Sequence, residues 1–337
     1  MHLRSAVPAI PFESILSLCE FVPHTRKDDS VLHPLTLLGS KESDSPLSSL
    51  QNLTADTLRA GCFFGLCTSM KIAIIGGGIA GLMLAYKSAK AGYHTELFEA
   101  EGLASGASSK ALGVLVPVTG MNRPIDQMQR AGIASWPVLA AELSQTTSTP
   151  LASLWRDWGN GRQQVNLSIL FKILEQAIIK YNGIIHTQTP VAPNNLPHGF
   201  THTILAAGFE NKTLAQAPLT ISAGLAARFT GELDHLITAN NLFLCPSFEE
   251  GEILAGSINW HLATPGDGTI PPEKLDELTQ RVQALAPNLQ LKEAWVGYRP
   301  TQAPRLPLMR HLGNNVHAVT GLGKIGICLS PMLELPI

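Results

Sequence analysis

The stretch Lys71–Glu99, KIAIIGGGIAGLMLAYKSAKAGYHTELFE, limits what this chain can fold into more than any other segment. Ile72–Ile75 is a short apolar run closed by glycine, the mark of a buried strand. Gly76, Gly77, Gly78 and Gly81 follow, and a helix-like run continues to Gly92. A second strand-like segment, Thr95–Phe98, stops on Glu99. Strand, glycine turn, helix and strand make a βαβ unit, and each part has a role if the unit binds a dinucleotide. Gly76 makes the tight turn, Gly78 lets backbone approach a pyrophosphate, and Gly81 lets the helix pack closely. The N–H groups of Ile79 and Ala80 at the helix start then face the phosphate charge. Glu99, about 20 residues on, can accept hydrogen bonds from a ribose diol. A carboxylate there disfavours a ribose 2′-phosphate, and so NADP. The competing reading is a βαβ unit whose glycine turn binds nothing.

The rest of the composition is consistent with that unit. The 337 residues give room for one large or two ordinary domains. Charged residues at 15% and hydrophobic residues at 45% suit an α/β chain with a sizeable core. A formal net charge of -2 offers no basic excess for nucleic acid or an anionic membrane surface. No uninterrupted apolar run reaches the roughly 18 residues of a spanning helix, so no stable membrane insertion is expected. The five cysteines, Cys19, Cys62, Cys67, Cys245 and Cys328, are scattered and form no CxxC pair. They read as reduced thiols in a reducing, cytoplasmic setting, and no metal site is expected. Residues 1–69 are rich in Ser, Pro, Thr and Leu, with no sustained period and no secretory pattern. A poorly ordered extension is expected there, with Met70 as the alternative natural start.

After Glu99, small residues crowd 104–109, and Gly113 opens the apolar run 114–118. Such a stretch lets backbone pass close to a flat ligand and offers N–H and hydroxyl donors. A flexible surface loop is the alternative. Residues 123–144 read as one or two amphipathic helices with a break near Pro137. Trp155 and Trp158 read as packing rather than as a substrate box. A clean 3.6-residue period in 165–180 predicts a helix capped by Asn166 or Ser168 and ended by Gly183. GIIHTQTPV and HTILAAG read as strands. Between 219 and 262 the chain turns to short strand-like segments, predicting an antiparallel sheet. A helix over 272–286 follows, with Pro272 near its first turn. Near the end, GLGKIG is a second glycine-rich turn.

Four motifs in this order, GGGIAG with Glu99, GASSKALG (106–113), HTILAAG, and VGYRP…LPLM…VTGLGKIG, cover most of 70–331. With them the chain resembles the FAD-dependent D-amino acid oxidase (DAO) superfamily. It is nearest to glycine oxidase and the oxidase half of the bacterial tRNA methylaminomethyl-uridine enzyme. The resemblance implies an α/β fold with a discontinuous FAD-binding, Rossmann-like domain of glutathione-reductase type, over 70–130, 165–215 and 297–337. An interleaved antiparallel α+β substrate domain would take 131–164 and 216–296. Carried over by position, Gly76, Gly78, Ile79, Ala80 and Gly81 would hold the pyrophosphate of FAD and Glu99 the adenosine ribose. Ala107, Ser108, Ser109 and Gly113 would line the path to the flavin, with Gly208 closing the HTILAAG strand beside it. Val191 would meet the adenine. Gly321, Gly323 and Gly326 would approach the flavin's carbonyl edge, and Lys324 would tune the flavin or its reaction with oxygen. Arg299 would clamp a substrate carboxylate. Tyr298, Trp260 and His261 are candidate pocket walls by their place in the sequence, with packing in the core as the competing reading for each.

Arg299 also has a case of its own. A guanidinium offers a planar fork that matches a carboxylate, and its setting between Tyr298 and Pro300 leaves the charge in need of a partner. A structural ion pair with an acid of the same domain is the alternative. Where many relatives carry an acid and a glycine after RP, this chain has Thr301, Gln302 and Ala303, and a second basic residue at Arg305. The last helix of the family is also shortened, which would weaken flavin retention.

The resemblance implies oxidation of a small amine or amino acid, by hydride transfer from Cα to flavin N5 and hydrolysis of the imine. Oxygen or another acceptor, a quinone or a protein, would take the electrons. No side-chain base is required for the hydride itself. Three other readings stay open: an NAD-dependent dehydrogenase, a flavin-dependent tRNA-modification enzyme, and a non-catalytic or truncated flavoprotein. Assembly into a homo-oligomer is left open.

Overall fold

A computed structural model describes residues 70–337 of the chain. The extension expected over 1–69 lies outside the described residues.

Strand β1 (Lys71–Ile75) leads through the glycine turn into helix α1 (Ile79–Lys90) and strand β2 (His94–Phe98). Leu82, Met83, Leu84 and Ala85 of α1 are all fully buried. A helix that is apolar all round belongs inside, and truncating one such leucine or methionine to alanine costs about 2–5 kcal/mol. A short strand β3 (Val114–Leu115) precedes the long helix α2 (Pro124–Thr147). Strands β4 (Trp155–Gly159) and β5 (Arg162–Val165) follow, then helix α3 (Leu167–Lys180), capped by the Asn166 side chain, which accepts from the Ile169 N–H. Strands β6 (Ile184–His186) and β7 (His202–Leu205) complete this half. The second half holds β8 (Thr220–Thr230), β9 (Ile237–Ala239), β10 (Leu242–Pro246), β11 (Glu252–Leu262), helix α4 (Pro272–Leu285) and β12 (Gln290–Thr301). The chain then returns through β13 (Leu308–Gly313) and β14 (Val316–Thr320) to a short helical turn, Gly326–Leu329.

Three sheets result. The largest has the order β13-β14-β7-β1-β2-β6, parallel throughout except for the antiparallel β13–β14 pair. The second is antiparallel, β12-β8-β11-β10-β9. The third joins β3, β5 and β4. The sequence expectation of a parallel α/β core with a separate antiparallel sheet therefore describes the molecule. The parallel sheet is covered by α1, α2 and α3 on one face, with Ile72, Leu97, Trp136 and Leu174 in one cluster. Helix α4 covers one face of the antiparallel sheet through Leu278 and Val282.

Four local expectations change. Residues 124–147 form one helix, unbroken at Pro137. Apolar side chains on both sides of the proline, Ile133, Trp136, Leu139, Ala140 and Leu143, are buried in one core, and that burial offsets the roughly 3 kcal/mol an internal proline costs. The Trp136 indole also donates to the Ile327 carbonyl at 3.0 Å. Because α2 packs on the first core, the expected boundary at 131 cuts through a helix that belongs to the parallel half. The boundary at 297 cuts β12, which stays in the antiparallel sheet as far as Thr301. The GIIHTQTPV strand shortens to three residues, Ile184–His186, so Val191 lies in the loop beyond it rather than at a strand end.

Candidate cofactor and substrate site

Strands β14, β7 and β1 lie side by side in parallel, so the loops after all three open at one edge of the sheet. The chain leaves β1 for β2 on one side and returns to β7 and β14 on the other, and such a switch in strand order creates a crevice at the C-terminal ends. Gly76 turns there with φ of +110°; a β-carbon on it would lie 2.6 Å from the Ala206 carbonyl oxygen at the end of β7. A β-carbon on Gly81 would stand 1.8 Å from the Gly76 oxygen, so the first turn of α1 can close on the loop only with glycine. Gly78 is extended at the helix start, and the position of its missing β-carbon is open apart from Ser108 Oγ at 3.3 Å.

Acceptors surround these amides. The Gly77 N–H donates to Glu99 Oε2 at 2.5 Å, and the Glu101 N–H donates to Glu99 Oε1 at 2.9 Å. The Ile79 N–H donates to Ser108 Oγ at 3.0 Å. Ser108 and the Glu99 carboxylate thus stand at the two sides of the glycine turn. Ser109 is exposed and turns to the Gly106 carbonyl, and Ala107 lies between them, half-buried. Gly113, with φ of +70°, has another reason to be glycine: a β-carbon would lie 2.1 Å from the Val165 oxygen of β5. Its requirement is strand packing, which revises its expected role at the cofactor. The loop beyond β6 is tied to the same corner, because the Thr189 N–H donates to the Glu99 carbonyl and the Gln188 N–H to the Glu101 carbonyl. Val191 packs there beside Phe98, Ile75 and Leu205.

The second glycine loop meets the first. Gly321 and Gly323 have φ of +70° and +53°. A β-carbon on Gly326 would reach Ile79 Cγ2 at 3.9 Å, at the N-terminus of α1. Thr320 Oγ1 donates to the Gly208 carbonyl at 2.8 Å, pinning this loop to the end of β7. Lys324 is exposed. The described residues bring together a glycine turn at a helix start, the Ser108 hydroxyl, the Glu99 carboxylate and a second glycine loop, and this set fits FAD. Among the described residues no group of three His, Cys, Asp or Glu side chains is placed to hold a metal. Cys245 and Cys328 are buried free thiols, each pushed up to about 12 by desolvation, and so are poor nucleophiles.

The substrate candidates are sorted by the two-residue alternation of the antiparallel sheet. Ser222 pairs with His261 on one side and Arg299 on the other; Gly224 pairs with Asn259 and Gly297. Those side chains share one face. Ala223 pairs with Trp260 and Tyr298, which point to the opposite face and pack on the Leu225–Phe229 core under α4. The Tyr298 hydroxyl accepts there from the Gly268 N–H at 3.0 Å. Tyr298 and Trp260 therefore pack, partly buried, against the core, the competing reading for both, and do not serve as walls beside Arg299. A one-residue offset on a strand reverses the face.

Arg299 lies across a gap that glycine leaves. A β-carbon on Gly224 would be 1.6 Å from Nη2, 2.4 Å from Cζ and 2.8 Å from Nη1. Nη1 donates to Asn259 Oδ1 at 2.8 Å. Desolvation alone pushes the guanidinium down from its usual range, and no carboxylate counteracts it; an arginine still stays protonated. Nearby, the 106–113 loop crosses the same face. The Trp295 indole donates to the Lys110 carbonyl at 3.0 Å, and a β-carbon on Gly297 would lie 2.9 Å from Lys110 Cβ. Asn259 and Gly224 were not singled out by sequence reading. The signal was present in INWHL, where Asn259 and His261 alternate with apolar residues.

Comparison with known proteins agrees with this geometry. The family described as DAO, FAD dependent oxidoreductase, matches residues 71–177 and 170–333. The tRNA 5-methylaminomethyl-2-thiouridine biosynthesis bifunctional protein of Maricaulis maris is 26% identical over 310 residues, covering 78% of this chain and 50% of that protein. The chain thus spans half the length of this curated relative. Glycine oxidase from Bacillus cereus shares the fold with a TM-score of 0.67 at 19% identity, covering 78% of this chain and 92% of that one. L-α-glycerophosphate oxidase from Mycoplasma pneumoniae, solved with FAD bound, gives 0.61 at 16% identity, covering 78% and 92%. Two glycine loops from opposite ends of the sequence meeting at one sheet edge, and a family match that runs through both, make this chain a member of the DAO family of FAD-dependent oxidoreductases.

Proposed function

We propose that the protein oxidises a small amine or amino acid that carries a carboxylate, and that Arg299 binds that carboxylate. The observation that carries this reading is the state of Arg299: a half-buried guanidinium with one amide partner, Asn259, and desolvation uncompensated by any acid. A buried charge without a counter-ion is costly, and an anionic ligand supplies what is missing. FAD, when bound, would supply the two-electron oxidising power for amine oxidation. The residues of this chain do the rest. Arg299 orients the acid end, Gly224 leaves room for it, and Asn259 holds the guanidinium flat against the sheet. Ile79, Ser108 and Glu99 would hold the cofactor's phosphates and ribose, and the exposed Lys324 would lie toward its flavin. The electron acceptor is oxygen, a quinone or a protein.

The test is a spectrum. The purified protein should show oxidised-flavin absorbance, alone or after addition of FAD, and anaerobic glycine, sarcosine or a D-amino acid should bleach it. Failure to take up FAD would defeat the cofactor assignment. Arg299→Ala should retain flavin and lose carboxylate substrates; unchanged kinetics would remove Arg299 from the site. A second reading, action on an aminomethyl group of a modified tRNA base, is favoured by the similarity to the bifunctional relative. Turnover of modified tRNA in preference to free amino acids would select it.

A further inference from the structure

Arg305 is a second cation on the same approach, and the substrate reading above leaves it unused. It follows β12 in a turn closed by its own N–H to the Gln302 carbonyl. Its φ is +70°, a left-handed backbone that a non-glycine residue holds at a cost of about 1–3 kcal/mol. Its Nη2 lies 3.3 Å from His261 Nε2. A guanidinium only donates, so the imidazole nitrogen accepts and the positive charge of Arg305 remains uncompensated. His261 shares the Arg299 face and sits one two-residue step along β11 from Asn259, the partner of Arg299. One such step is roughly 7 Å. The two arginine heads are thus anchored on neighbouring positions of a single strand.

No acid lies on the strand segments that carry the two arginines and their partners. The sequence from Gly297 to Arg305 contains no acid, nor do 219–229 or 253–266, the segments that form this end of the face. Lys110 crosses the same face above Gly297. A substrate with one carboxylate would occupy Arg299 and leave Arg305 facing solvent. A substrate with two would occupy both.

We propose, on the reading that Arg299 binds a substrate carboxylate, that this site takes amino dicarboxylates: an amine with two carboxyl groups a few atoms apart, one on Arg299 and the other on Arg305 with His261.

The experiment measures binding to the FAD-loaded full chain by titration calorimetry, so that turnover plays no part. The probes are oxydiacetate, a dicarboxylate with an ether oxygen in place of the amine nitrogen, and methoxyacetate, its monoanionic counterpart. Oxydiacetate should bind about tenfold more tightly, the weight of one charge-assisted hydrogen-bonded contact. Arg305→Gln should bring the two affinities together, and Arg305→Lys should restore part of the difference. Arg299→Gln should weaken both probes. Equal affinities in the unmodified protein, or a preference untouched by Arg305→Gln, would overturn the dicarboxylate assignment while leaving Arg299 in place. Probes that bind equally well to Arg299→Gln and the unmodified protein would instead overturn the carboxylate reading beneath it.

Discussion

The sharpest single perturbation is Gly224→Ala. The position lies in the middle of β8, with no left-handed backbone angle, so alanine is conformationally acceptable there. On backbone grounds alone the change is neutral or stabilising by about 0.5–1 kcal/mol, because glycine gains most from being unfolded. Its effect falls on one neighbour. The new methyl would stand 1.6 Å from Arg299 Nη2 and 2.4 Å from Cζ, so the guanidinium has to leave. A carboxylate held by that guanidinium then loses at least one hydrogen bond to a charged group, about 1.5–3 kcal/mol. At 1.4 kcal/mol per decade this is roughly a ten- to hundredfold loss of kcat/KM. The loss should appear mainly in KM, since the contact is made with bound substrate as much as with the transition state. Flavin content and the thermal midpoint should stay within about 1 kcal/mol of the unmodified protein. The assay pairs steady-state kinetics on a carboxylate amine with a flavin absorbance titration and a thermal melt. If KM is unchanged while the protein stays folded and yellow, the guanidinium is not needed where the structure puts it, and the reasoning fails.

Three further outcomes test the frame around that site. Gly81→Ala forces a methyl to 1.8 Å from the Gly76 oxygen; overpacking of this kind costs about 1–3 kcal/mol, so a lower urea midpoint and poorer FAD uptake are expected together. Trp136→Phe removes the indole bond to the Ile327 carbonyl, which keeps the Ser330 hydroxyl as a donor; equilibrium unfolding should register a loss of about 0.5–1.5 kcal/mol, and no loss would mean the C-terminal turn does not depend on the indole bond. His317 is buried, and desolvation, then the neighbouring His311 and His202, lower its value from the ordinary 6.5. The unfolded chain then binds the proton more readily than the fold, so stability is fully present above the unfolded value and is lost as pH falls through it. Melting curves from neutral to mildly acid pH should show this decline, with a shallower slope in His317→Gln; an identical slope would clear His317 of the effect.

The parts of this molecule that could be read from sequence were those governed by local rules. The β1–α1–β2 unit was legible because a glycine turn, an apolar strand and an acid at fixed spacing each follow from short-range sterics and hydrogen bonding. Helix α3 was legible from its period, and its Asn166 cap from the need of helix-start amides for an acceptor. Helix α2 runs on through Pro137 because the tertiary burial of Trp136 and Leu143 exceeds the proline's local penalty, and that burial leaves no local mark in the sequence. Gly113 was assigned to the cofactor because its contact with the Val165 oxygen is long-range and leaves no mark in neighbouring residues.

The substrate face shows where the remaining difficulty lies. GYRP places Tyr298 and Arg299 side by side in sequence, and adjacency invites the inference that they work together. On a strand adjacency means the reverse: Tyr298 goes to the face packed under α4 and Arg299 to the opposite face. The true neighbours of Arg299 come from β11 and β8, far upstream in the sequence: Asn259 accepts from its guanidinium, and Gly224 leaves the gap the guanidinium occupies. Register alone converts INWHL from a pocket wall of Trp260 and His261 into a core tryptophan flanked by two site-facing polar residues. The chemistry of this site is therefore carried by which residues share a parity across three strands. The family motifs mark the strand, and only the register says which of its side chains share the Arg299 face.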